Sequence, residues 1–275
     1  AAISLVFAVA WELVCENPAV DLSLLAHRGF AIACVLIFLA SIVYTSGISI
    51  VIPVIVQDVL GFGAFETGLV GMPGAISVTI GVYIIGYMID KFTAKYVIAF
   101  GYFASILAFL NMATLTSTFP FLLLIFNRTL VSISMTFGAV GVNATAYYGI
   151  DPKKHNAASS MLNLARILGT SFGYSVVATI LVSLARRHIV DLGQNFSELN
   201  PNFTGALNHL ANSIAAGGVR TGDAESIALA DLFGRLVREA YTIASNEVLM
   251  LFAAILVLPL ILSFFLNKKA GEAGH

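Results

Sequence analysis

Six apolar stretches decide what this chain can become: about 29–52, 67–89, 96–116, 121–148, 157–184 and 247–266. A helix needs about 20 apolar residues to cross the hydrocarbon layer of a bilayer. No water is available there, so every backbone N–H and C=O must be satisfied within the segment or within a closed barrel. Barrel strands are alternating runs of about ten residues, and these runs are longer and do not alternate. The expected fold class is therefore an all-α integral membrane protein, a six-helix bundle. Residues 1–11 are also apolar but too short to span, and read as the inner end of a truncated helix.

Composition narrows function by exclusion. Of 275 residues, 59% are hydrophobic and 11% are charged, against roughly 25% charged in a soluble domain. That is too little charge to cover a water-facing surface, which rules out a soluble enzyme. A net charge of −1 offers no electrostatic footprint for nucleic acid, and the apolar content is too high for disorder. Cys15 and Cys34 have no metal or redox spacing. No Ser–His–Asp, Cys–His or paired-carboxylate set is discernible, so no catalytic residue, metal or cofactor is expected.

Lysine and arginine set the orientation. Alternating the six spans places Arg28, Lys91, Lys95, Lys153, Lys154, Lys268 and Lys269 on one side, which collects every lysine in the chain. That side is expected to be the cytoplasm of an inner-membrane protein, with the C-terminus inside. The implied organisation is a helix end and linker over 1–28, a six-helix domain over 29–266 with an external loop at 185–246, and a tail at 267–275. Within the loop, Leu229, Phe233, Leu236, Val237, Ala240 and Tyr241 recur at helical spacing. They suggest a helix capping the outer mouth, or a docking surface for an external partner.

Polar residues inside the spans are the candidate site. Arg128 and Arg166 lie well within the fourth and fifth spans, where a charge normally faces the bundle or a water-filled cavity. Arg128, Ser132, Met135, Ala139 and Asn143 share one helical stripe, as do Asn163 and Arg166. On the first span Ser41, Thr45 and Ser49 repeat every four residues beside Tyr44. Such groups can line a polar substrate pathway or serve as hydrogen bonds between helices. Gly169 and Gly173 permit close helix approach, and Gly68, Gly71 and Gly74 line one side of the second span. Glu12, Asp58, Glu66, Asp90 and Glu247 all fall near span ends, so no carboxylate lies mid-membrane.

After the second span the chain reads Gly86-Tyr-Met-Ile-Asp90-Lys91-Phe-Thr93-Ala-Lys95. This resembles the G-x-x-x-D-[RK]-x-G-[RK] loop of the major facilitator superfamily, with Thr93 in place of the usual Gly. Gln57-Asp-Val-Leu-Gly61 through Glu66-Thr-Gly68-Leu and Met72-Pro73-Gly74 is similar to a segment of the fourteen-helix drug:proton antiporters, the EmrB/QacA type. Asn17-Pro18-Ala-Val-Asp21-Leu, the run from Ala157 through Asn163 to Arg166, and Ser245-Asn246-Glu247 resemble further stretches of that family in the same order.

The resemblance implies the C-terminal half of a multidrug efflux transporter. Its substrates would be hydrophobic or cationic compounds, exported by proton antiport through alternating access. Tyr44, Thr45, Ser49, Ser132, Asn143 and Asn163 would line the substrate pathway, Arg128 and Arg166 would tune it, and Gly86, Asp90, Lys91 and Lys95 would form a gating loop. Implied partners are protons, the N-terminal half, the lipid bilayer and, in the Gram-negative branch, a periplasmic adaptor with an outer-membrane channel. Two alternatives remain: a siderophore or fatty acid exporter half, and a non-transporting fragment that pairs with a separate N-terminal half.

Overall fold

The computed structural model describes residues 22–114, 116, 120–194, 196, 201–218 and 220–266. Residues 1–11, Cys15, the Asn17–Asp21 stretch, Lys268 and Lys269 lie outside that set. The described residues form seven helices and two short 3-10 turns, the helices being α1 (Arg28–Val59), α2 (Ala64–Lys91), α3 (Ala94–Met112), α4 (Phe121–Ala146), α5 (His155–Gly193), α6 (Pro201–Ala216) and α7 (Thr221–Ser263). The 3-10 turns are Leu22–Ala26 and, before α5, Pro152–Lys154. All but α6 are long and apolar enough to cross a membrane, and no strand occurs among the described residues. The chain is an all-α, multi-pass membrane protein.

Local chemistry marks the ends. The Glu66 carboxylate accepts the Gly63 N–H at 3.0 Å and so covers a free donor at the start of α2. Pro120 stands immediately before α4, where its missing N–H costs nothing. Gly61, with φ of 73°, turns the chain between α1 and α2, and Gly149, with φ of 79°, does so after α4. Both conformations are left-handed, which glycine adopts without strain.

Close helix contact comes through glycine. A Cβ on Gly101 of α3 would lie 2.5 Å from the Gly138 nitrogen of α4. One on Gly173 of α5 would lie 2.7 Å from the Ile42 carbonyl oxygen of α1, and one on Gly169 would collide with the Phe38 carbonyl oxygen. The Gly169/Gly173 pair therefore presses two backbones together. Gly74 faces Ser132 of α4, whereas Gly68 and Gly71 meet nothing within 4 Å in this chain.

The result is a bundle with α1 at its centre, touching α4, α5 and α7, while α3 packs on α4 and α7. Two helices stay open. Only 17% of the apolar window of α2 and 22% of that of α5 is buried, against 56% for α1.

Two features differ from the sequence expectation. Pro53, just beyond the expected span 29–52, sits inside α1, which is α-helical over Arg28–Ser46 and π-helical over Gly47–Val51 and Val54–Val59. Proline removes one ladder donor, and the wider turns around it carry the helix on to Val59. The segment expected as a loop carrying a capping helix is largely helical, and its first and last helical stretches are continuous with the spans on either side. The fifth span continues to Gly193, and the last span begins at Thr221 as one 43-residue helix. That is about 64 Å of helix, twice the thickness of the apolar layer. Over its first half, alanines form most of the contact face: Ala224, Ala228, Ala240 and Ala244 are buried with Leu236, while Leu229 and Phe233 are exposed. Small side chains let neighbouring helices approach. Across this region His188 of α5 bonds Glu247 of α7 at 3.0 Å, and Asp231 pairs with Arg235 along α7 at 2.9 Å.

Candidate functional site

A cavity of about 100 Å3 opens between α1, α3, α4 and α5. Ser41, Tyr44 and Thr45 reach it from α1, Tyr102 from α3, Asn143 from α4 and Arg166 from α5, with Ile37 and Met135 among the apolar walls. The walls are mostly hydrophobic and the polar groups few, which is the usual make-up of a small-molecule site.

The deep side of the cavity is rigid. Tyr44 is 2% exposed and its hydroxyl shares a 2.7 Å hydrogen bond with Ser105 of α3. Its ring stacks on Phe109 with centroids 6.2 Å apart. Tyr102 is buried beside it, at the level where Gly101 and Gly138 bring α3 against α4. The open side is polar. Arg166 donates to Asn143 Oδ1 at 3.3 Å, and the Asn143 amide donates to the Ala139 carbonyl at 2.7 Å. The carboxamide thus fixes one guanidinium nitrogen while the rest of the charged group stays exposed.

The residues singled out from the sequence separate into groups. Tyr44, Thr45, Asn143 and Arg166 come together at the cavity. Ser49 lies farther along α1, where the Tyr174 hydroxyl donates to it at 3.2 Å, and Thr170 approaches Thr45 at 3.5 Å. Arg128 and Ser132 bond each other away from the cavity, buried against Gly74 of α2. Asn163 is exposed on α5, one turn before Arg166. Neither arginine has an ion pair to a carboxylate among the described residues.

At the loop between α2 and α3, Lys91 lies 5.5 Å from the Tyr87 ring centroid and donates to its hydroxyl at 3.4 Å. Lys95 lies 4.9 Å over the Tyr96 ring. Gly86 has open space around it, and the Asp90 side chain is outside the described set. Sequence reasoning missed Tyr102, a tyrosine inside an apolar span. Its neighbour Gly101 was the available signal, since glycine inside a span marks close approach.

Comparison with known proteins agrees with this architecture. A family model described as Major Facilitator Superfamily matches residues 2–174. Multidrug export protein EmrB of Escherichia coli strain K12 is 26% identical over 275 residues, covering all of this chain and 52% of that protein. Fatty acid resistance protein FarB of Neisseria gonorrhoeae is 24% identical over 294 residues, covering all of this chain and 53% of that protein. Lincomycin resistance protein LmrB of Listeria innocua is 21% identical over 170 residues, or 62% of this chain and 36% of that protein. The chain spans about half the length of the curated relatives it matches over its full length. The match covers the first four spans and about half of the fifth, and the chain belongs to the Major Facilitator Superfamily, a family of membrane transporters rather than enzymes.

Proposed function

We propose that this chain forms the C-terminal half of a multidrug efflux transporter, exporting hydrophobic or cationic compounds by proton antiport through alternating access. One observation carries the reading. The membrane-length helix α5 leaves Ser160, Asn163, Arg166 and Ser171 exposed, and such groups are costly against lipid tails. They need a protein or a water-filled path opposite them. A second six-helix half, packed along the open sides of α2 and α5, would turn this half-cavity into a closed pathway between two rocking bundles. The lysine end would face the cytoplasm of an inner membrane, with the C-terminus on that side. A periplasmic adaptor and outer-membrane channel would join at the opposite end, where α5, α6 and α7 extend beyond the apolar layer.

The cavity favours a second reading as to substrate. Its one charged lining residue is Arg166. An unpaired guanidinium in a low-dielectric wall repels cations and attracts anions. An exporter of anionic amphiphiles such as fatty acids fits that charge, and one relative carries fatty acid resistance in its name.

Both readings are tested with the full-length gene product in an efflux-deficient host and in vesicles. Efflux that stops when the proton gradient is dissipated supports antiport, and efflux that continues without the gradient contradicts it. A lipophilic cation and a long-chain fatty acid, compared at equal concentration, separate the substrate classes. Transport of neither would overturn the efflux reading.

A further inference from the structure

Asn143 does what its polar neighbours on α4 do, and one thing more. Thr129, Ser134, Thr136 and Thr145 donate to carbonyls of their own helix. The Asn143 amide nitrogen does the same, to Ala139 at 2.7 Å, but its Oδ1 also accepts from Arg166 of α5 at 3.3 Å. The two bonds agree on a single direction for the carboxamide. Turned over, it would set its NH2 against a guanidinium nitrogen and its oxygen against a carbonyl oxygen, donor on donor and acceptor on acceptor. The shorter bond, made within α4, therefore aims the oxygen at Arg166.

That aim matters because nothing else described holds the charge. Arg166 is exposed on α5, and no Asp or Glu lines the cavity. A long side chain on an open helix face has many rotamers, and some of them carry the guanidinium away from the cavity. With one nitrogen held by Asn143, most of its N–H donors remain for a ligand. Tyr44, across the cavity, is already committed. Ser105 donates to the Gly101 carbonyl at 2.8 Å, which leaves the Tyr44 proton to make the 2.7 Å bond between the two hydroxyls. Arg166 is then the strongest donor that the lining presents.

We propose that Asn143 is a positioning residue, which keeps the Arg166 charge at the cavity and so sets the sign of charge that the cavity accepts. The inference rests on the reading of this cavity as the transport surface. Asn143 acts through the arginine and not by its own contact with substrate. Asn143→Leu keeps the charge but releases it. Asn143→Asp sets a carboxylate within the same reach, pairs the guanidinium and cancels the one charge in the lining, which removes the attraction for an anionic amphiphile.

Two readouts on the full-length gene product test this. The first needs no transport: phenylglyoxal, which adds to the terminal nitrogens of a guanidinium, is applied to the protein in lipid nanodiscs and its adduct on Arg166 is followed by mass spectrometry. Asn143→Leu should raise the labelling rate of Arg166 several-fold, and Asn143→Asp should lower it, with Arg235 as the reference in each protein. Equal rates in wild type and variants overturn the proposal, and either variant decides this readout if the other does not accumulate. The second is uptake of a long-chain fatty acid and of a lipophilic cation by inside-out vesicles. Asn143→Leu should raise KM for the fatty acid about three- to tenfold, the worth of one hydrogen bond, with the maximal rate kept. Placed on Arg166→Gln, the same change should add nothing, because the arginine through which it acts is gone. A further rise in KM in that double variant overturns the proposal, since Asn143 would then act by itself. A wild type that moves neither compound overturns the efflux reading instead, and the labelling still decides whether Asn143 holds Arg166.

Discussion

The two halves of α1 are built differently. From Arg28 to Ser46 the helix is regular, and its backbone lies directly against α5 at Gly169 and Gly173. From Gly47 to Val59 it is mostly π-helical around Pro53. That far half is linked to α5 by the Ser49–Tyr174 hydrogen bond and to α2 by Gln57, which donates to Thr67 at 3.1 Å. Backbone-to-backbone contact has no slack, because nothing between the helices can change rotamer. Side-chain bonds can be exchanged one at a time. A helix fixed at one end and adjustable at the other, with cavity residues Tyr44 and Thr45 near the boundary, is suited to opening one side of a pathway.

The largest effect expected from breaking that contrast is at the fixed half. Gly173→Leu would drive a side chain into the Ile42 carbonyl, at a cost of about 3 kcal/mol or more. The expected outcome is loss of folded protein, measured by thermal unfolding in detergent. Gly68→Leu on the open side of α2, where nothing lies within 4 Å, should leave this bundle's own unfolding unchanged. Equal damage from both substitutions would contradict the fixed contact.

Hydrogen exchange sharpens the comparison without any mutation. Amides in 30–46 should be protected about tenfold more than those in 47–60, reflecting a difference of about 1.4 kcal/mol in local opening. Uniform protection along α1 would remove the distinction. Tyr44→Phe should cost about 1 kcal/mol of stability through the lost bond to buried Ser105. Tyr174→Phe should cost less, about 0.5 kcal/mol, because its bond to Ser49 is exposed.

Hydropathy made the six spans legible, since the demand for about 20 apolar residues leaves few choices. Helicity in the long connection was legible too, from the periodic apolar residues after Thr221. That it continues the last span was not. Ser245, Asn246 and Glu247 read as a boundary in hydropathy, yet polar residues do not interrupt a helix that packs through Ala240, Ala244 and Val248. The π turns of α1 were also out of reach, because an apolar run around Pro53 reads the same at either helical pitch. At the candidate site, periodicity put Arg128, Ser132 and Asn143 on one stripe. Only packing separates them: Arg128 and Ser132 turn to Gly74 of α2, and Asn143 turns to the cavity with Arg166.

That separation leads to the most direct test of the account, in which the cavity holding Arg166 is the transport surface. Efflux by the full-length gene product in inside-out vesicles should be compared between wild type and Arg166→Gln at equal expression. Losing a charged hydrogen-bonding group at the site should cost about 1.5–3 kcal/mol, or roughly 10- to 100-fold in KM for an anionic substrate. The thermal stability of the variant should stay at the wild-type value. Unchanged transport of every compound the wild type moves, by an Arg166→Gln protein that folds normally, would contradict it.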